Sequence, residues 1–175
     1  FPLNPGERIQ PPWPRVTVVF QQLFLWPHLT LGQNIMLPLR NSKKTDKGDH
    51  LDELIELFGM ADFIDRYPNE TSLGQRQRAA LARALVLDPS YILLDEITSA
   101  LDVEHVSAIL SHLQTLRDNG IGILIITHLI GFARRAGDTI VFLDGGRVLE
   151  TGGPEVLDAP KHERVKRFLS TIELA

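Results

Sequence analysis

Apolar positions along the chain fall into two rhythms. Short, nearly unbroken runs stand at Val16 to Phe20, Tyr91 to Leu94, Ile121 to Ile126 and Thr139 to Leu143. Runs of that length, rich in β-branched residues, predict strands. The Tyr91 to Leu94 run has no polar interruption, the mark of a strand covered on both faces, and Ile121 to Ile126 reads as a second buried strand. Between the runs the spacing is helical. Leu51, Leu54, Ile55 and Phe58 share one face. Arg76 to Leu87 is built from alanine, leucine and arginine, strong helix formers, and its alanines let it lie close against a sheet. Val103 to about Asp118 makes a third helix, which Asp102 can cap. Pro38 ends a short first helix, Ala61 to Arg66 makes another helical turn, and Tyr67-Pro68-Asn69 breaks it. Gly131 to Ala136 is a short helix, and Asp144-Gly145-Gly146 turns into a hairpin-like edge, Arg147 to Glu150. Helical segments near Pro154 to Asp158 and His162 to Leu169 finish the chain. Strand, helix, strand in succession implies right-handed crossovers, hence an α/β fold: a parallel sheet layered with helices, with a helical subdomain beside it.

Composition narrows the possibilities. With 175 residues, 43% of them hydrophobic, the chain can bury one sizeable core. A net charge of −4 argues against a protein that coats nucleic acid. Zero cysteines exclude a disulfide framework and a cysteine metal site. No apolar run approaches the length that crosses a bilayer, so any service to a membrane passes through a partner. Phe1 to Pro14 holds five of the eleven prolines and reads as an irregular lead-in. The lysines Lys43, Lys44 and Lys47 read as a solvated loop.

Candidate chemistry lies at the strand ends. Parallel sheets place ligands beyond the carboxyl ends of their strands. Three such ends carry polar groups: Gln21, the Asp95-Glu96 pair, and His128. Singly, each has a plain reading: a loop amide, solvated charge, a structural histidine. They gain weight together, beside a helix start written Ser72-Leu73-Gly74-Gln75. Helix starts attract phosphate through unpaired N–H groups and the helix dipole. Carboxylates at a strand end can hold a hydrated metal and activate water. The pattern points to nucleotide chemistry.

The same residues resemble the ATP-binding subunit of ABC transporters, from about Arg15 onward. Val18-Val19-Phe20-Gln21 is similar to the family's Q-loop, and Trp26-Pro27-His28-Leu29-Thr30 to the stretch after it. Thr71-Ser72-Leu73-Gly74-Gln75 resembles the LSGGQ signature. Ile92 to Glu96 resembles the Walker B strand with its glutamate, Ser99 to Asp102 the D-loop, and Ile126-Thr127-His128 the switch histidine. The resemblance implies a P-loop NTPase-like fold, ATP and Mg²⁺ as cofactors, and catalysis by Glu96 and His128. Asp95 and Gln21 would approach the metal. Ser72, Gly74 and Gln75 would grip ATP held by a second nucleotide-binding subunit, and Asp102 would make contacts across that dimer. Membrane-spanning permease subunits would dock near Gln21 and residues 31–70, at the cytoplasmic face of the membrane. The segments after Gly131 and around His162 look like polar amino-acid importers. On this reading the chain divides into a lead-in (1–14), a strand and Q-loop region (15–30), a helical subdomain (31–72), the later part of the ATPase core (73–150) and C-terminal helices (151–175).

The pattern departs from the family at several points. A phosphate loop needs G-x-x-x-x-G-K-[ST], and no two glycines here stand five apart. Truncation ahead of Phe1 explains this more simply than decay, so the N-terminal strands and phosphate loop are expected to be absent and the chain inactive alone. The alternative is a degenerate, non-catalytic module that docks on a transporter or pairs with an active ATPase. Leu73 replaces the signature's first glycine, where a side chain would crowd an approaching phosphate. Ile97 and Leu129 replace a proline and a glutamate, and neither position reacts. Related ATPases of DNA repair share the signature, but no heptad array of the kind they carry interrupts this chain.

Overall fold

The computed structural model describes residues 11–41, 47–97 and 103–173. Residues 1–10, the loop with Lys43 and Lys44, and the turn from Thr98 to Asp102 lie outside the described residues. Three parallel strands form one sheet in the order β1 (Val16–Val19), β2 (Tyr91–Asp95), β3 (Gly122–Ile126). Their register sets Val19 beside Leu94, and Asp95 beside Ile126. The helices are α1 (Leu31–Met36), α2 (Lys47–Leu57), α3 (Leu73–Leu85), α4 (Val103–Asp118), α5 (Ile130–Ala136) and α6 (Glu163–Glu173). Strands β4 (Ile140–Asp144) and β5 (Arg147–Gly152) pair antiparallel. Gly145 and Gly146 both take the positive φ that their two-residue turn requires, 56° and 73°.

Helix α3 is the centre of the core. Ala79, Ala80, Leu81, Ala82, Ala84 and Leu85 are all buried, and the small alanines bring its axis close to α1 and β1. Leu31 and Ile35 of α1, Leu54 of α2, and Ile109, Leu110, Leu113 and Leu116 of α4 complete one cluster with Val19, Ile92 and Leu94. A smaller cluster joins Val165 and Leu169 of α6 to Ile140, Phe142 and Leu149 of the hairpin.

Four expectations change. The apolar runs ask for cover on both sheet faces, yet the described residues cover one. Ile92 and Leu94 are 0% and 1% exposed, whereas Leu124 and Ile126 on the other face are 58% and 56% exposed. Alternating side chains put Val18, Leu93 and Leu124 in one row of that open face. An apolar run registers that both faces want cover but not which segment supplies it. Second, the hairpin is a two-stranded sheet of its own, not an edge of the parallel sheet. Third, Ala61 to Arg66 forms successive turns held by Phe63 N–H to the Met60 carbonyl and Arg66 N–H to the Phe63 carbonyl, without a helix. Fourth, α3 begins three residues before Arg76, because Ser72 caps it. Close approach also explains Gly122: a Cβ there would lie 2.4 Å from the Tyr91 ring.

Candidate functional site

Register builds the candidate site. Because β1, β2 and β3 run parallel and level, Gln21, Glu96 and His128 emerge from the same edge of the sheet. Glu96 N–H donates to the Ile126 carbonyl at 2.9 Å, extending the ladder one residue past β2. Glu96 itself takes φ 48°, in the left-handed region. A non-glycine residue there costs of the order of 1 kcal/mol or more and persists only where its surroundings hold it. The turn brings the Glu96 Oε2 to 3.8 Å from His128 Nδ1, with both side chains partly open to solvent. Asp95, half-buried, alternates with the buried Leu94, so it faces the open side of the sheet with Leu93. Gln21 is exposed on the loop after β1. Asp102 falls among the residues that are not described.

The second candidate group opens α3. The Ser72 hydroxyl accepts from the Gln75 N–H at 3.2 Å, and the Gln75 side-chain oxygen accepts from the Ser72 N–H at 2.9 Å. This reciprocal capping box fixes the helix start and satisfies two of its donors. Gly74 is the second helical residue. Leu73, partly buried, packs against the core cluster.

Several positioning residues escaped the sequence reading. Asn34 is fully buried. Its Oδ1 accepts from the Trp26 N–H at 2.7 Å, and its Nδ2 donates to the carbonyls of Trp26, Leu29 and Thr30. It thereby shapes the whole Trp26 to Thr30 loop. Arg83 donates to the Leu23 and Phe24 carbonyls at 2.5 and 2.7 Å, tying the last turn of α3 to the segment after Gln21. Burial holds its guanidinium below the usual arginine range. Phe24 sits at φ 45° in a tight turn, its N–H on the Gln22 carbonyl. Arg78 donates to the Phe58 and Gly59 carbonyls and lies over the Phe63 ring, fastening α3 to the end of α2. Asn34 had a readable signal: it stands three residues after Leu31 and beside Ile35, on an otherwise apolar face.

We expect Asn34→Ala to strand the Trp26 N–H and the Leu29 carbonyl, while the Trp26 and Thr30 carbonyls keep the backbone N–H groups of Leu29 and Asn34. The cost should be about 3 kcal/mol, lowering the thermal midpoint by roughly 6–12 °C. Circular dichroism melting checks this, and an unchanged midpoint would show that the loop is held by other contacts.

Comparison with known proteins places this geometry. A family model described as ABC transporter matches residues 3–99. The chain is 41% identical over 159 residues to the glutamine transport ATP-binding protein GlnQ of Escherichia coli, covering 89% of the chain and 66% of that protein. It is 42% identical over 161 residues to the arginine transport ATP-binding protein ArgV of Corynebacterium glutamicum, covering 90% and 63%. With the arginine transport ATP-binding protein ArtM of Bacillus subtilis it shares 39% over 161 residues, covering 90% and 67%. It thus spans about two thirds of the length of these curated relatives. A solved dimeric ATP-binding cassette, MJ0796 with ADP and Pi, superposes with a TM-score of 0.69 at 34% identity, over 80% of this chain and 63% of that one. The chain therefore belongs to the ABC transporters, as an ATP-binding domain close to those of amino-acid importers.

Proposed function

We propose that the chain is the ATP-hydrolysing part of an importer for a polar amino acid. It works as one of a pair of nucleotide-binding subunits, docked on permease subunits at the cytoplasmic face of a membrane. No helix among the described residues is long and apolar enough to cross a membrane. The observation that carries this reading is the Glu96 carboxylate held 3.8 Å from the His128 imidazole where β2 and β3 end.

Each residue then has a task. Glu96 orients the attacking water and accepts its proton. His128 donates a hydrogen bond to a γ-phosphate oxygen as charge develops there. Ser72, Gly74 and Gln75 form the α3 start, whose dipole and Gly74 N–H, outside the capping box, face ATP held by the other subunit, and Asp102 makes contacts across that interface. The donors near the sheet edge suit Mg²⁺, a hard cation that keeps several waters and takes one or two carboxylates plus phosphate oxygens. Asp95 supplies a carboxylate and Gln21 an amide oxygen. When bound, the ion neutralises charge on the β- and γ-phosphate oxygens.

The 175-residue sequence contains no G-x-x-x-x-G-K-[ST]. The chain alone is therefore expected neither to bind ATP at micromolar concentration nor to hydrolyse it, because the backbone cradle and lysine that hold the phosphates are missing from it. Calorimetric titration with MgATP and a phosphate-release assay test this, and micromolar binding with turnover would overturn it. The positive test supplies a phosphate loop ahead of Phe1, where the family carries it, and incorporates the completed protein into vesicles with its permease subunits. ATP hydrolysis stimulated by a polar amino acid is the expected result. Hydrolysis indifferent to amino acids would remove the substrate class, and no hydrolysis would remove the whole reading.

A further inference from the structure

Gln77 lies in the second turn of α3, only 5% exposed, among the buried alanines. An amide on that face is out of place unless it is bonded. Its Nε2 donates to the Ile97 carbonyl at 2.5 Å, while its Oε1 has no partner among the described residues. A buried acceptor left unpaired costs roughly 1–3 kcal/mol. The amide is therefore tolerated for its donor, and that donor goes to the residue immediately after Glu96.

Glu96 is held from both sides. Its own N–H is fastened to the Ile126 carbonyl of β3. One residue further on, the Ile97 carbonyl accepts from Gln77 of α3, and the Ile97 side chain is itself buried. Between these anchors Glu96 keeps φ 48°, the conformation that sets its carboxylate beside His128. The β3 bond fixes the strand end, and the α3 bond fixes where the chain goes next.

We infer that Gln77 is a positioning residue: it fixes the left-handed turn at Glu96 and so ties the orientation of that carboxylate to the helix that begins at Ser72. Five residues of α3, about 7.5 Å of helix axis, separate the capped start from this bond. A rigid-body shift of α3 therefore moves the Ile97 carbonyl with it. The role in turnover rests on the reading of Glu96 as the water-orienting residue; the role in geometry does not.

Hydrogen exchange on the full chain, read by mass spectrometry, separates the two. Gln77→Met keeps the shape and removes the donor. The Glu96 amide should then exchange about tenfold faster while the α3 amides keep their protection. Unchanged exchange at Glu96 would overturn the inference. If Gln77→Met loses protection throughout, Gln77→Glu decides. Its neutral acid can donate to the Ile97 carbonyl and its carboxylate cannot, so protection at Glu96, corrected for intrinsic exchange, should be present in acid and lost as pH rises. A flat profile overturns the inference. In the protein completed with a phosphate loop, Gln77→Met should lower kcat about tenfold with KM for ATP within about twofold. Equal losses in kcat and affinity would overturn the role in turnover. Absence of wild-type turnover would overturn the proposed function and leave the exchange result standing.

Discussion

Glu96→Gln is expected to lower ATP turnover by about 10²- to 10⁴-fold, the usual worth of a positioned general base, with ATP affinity nearly unchanged. The amide matches the carboxylate in size, so the left-handed turn and its bond to the Ile126 carbonyl should survive. What goes is the proton acceptor. His128 stays at the end of β3, still able to donate to phosphate, so ground-state binding is spared. The measurement is single-turnover hydrolysis in the protein completed with a phosphate loop, with nucleotide affinity measured separately. A variant that keeps most of the wild-type rate would remove Glu96 from the chemistry and shift attention to Asp95. The paired control is His128→Ala, which removes a donor to the developing charge instead of a base.

The second large effect concerns the open face of the parallel sheet. Val18, Tyr91, Leu124 and Ile126 stand exposed there, and β1 and β3 each present a free edge among the described residues. Contiguous apolar surface and unpaired strand edges both drive association. The 19.6 kDa chain by itself should therefore run in gel filtration with light scattering as oligomers or aggregates, not as a monomer. Val18→Lys combined with Leu124→Glu puts opposite charges on either side of Leu93 in the same row. Both positions are already solvent-facing, so the folded state should lose little. The double variant should shift the population towards monomer. A wild-type chain that elutes as one monodisperse monomer would show that this face is closed by some other means.

Local codes explain what could be read in advance. The continuous run at Tyr91 to Leu94 and the breaks at Asp88-Pro89 and Asn119-Gly120 specify strand, helix and strand, and β2, α4 and β3 stand where those signals put them, to within a residue. Right-handed crossovers then leave little choice but a parallel arrangement. Gln21, Glu96 and His128 were candidates for the same reason, since the carboxyl end of a strand is a position in the sequence before it is a position in space. The capping box at Ser72 and Gln75 was present in the letters too, although α3 was expected to start later. Capping decides a helix start more sharply than propensity does.

Distance and partnership were beyond the reach of spacing. That Glu96 turns left-handed and meets His128 at 3.8 Å depends on two strands brought level by pairing. Arg83 and Gln77 looked like ordinary members of a strong helix. Their meaning lies in backbone carbonyls 60 and 20 residues away, at Leu23 and Ile97. The elements, their order and the edge on which the polar groups gather are legible in the chain, because they follow from periodicity, caps and handedness. Which sheet face is covered, and which side chains hold the reactive geometry, depends on contacts made in three dimensions. Packing and long-range hydrogen bonds exist only once residues far apart in the chain are brought into contact.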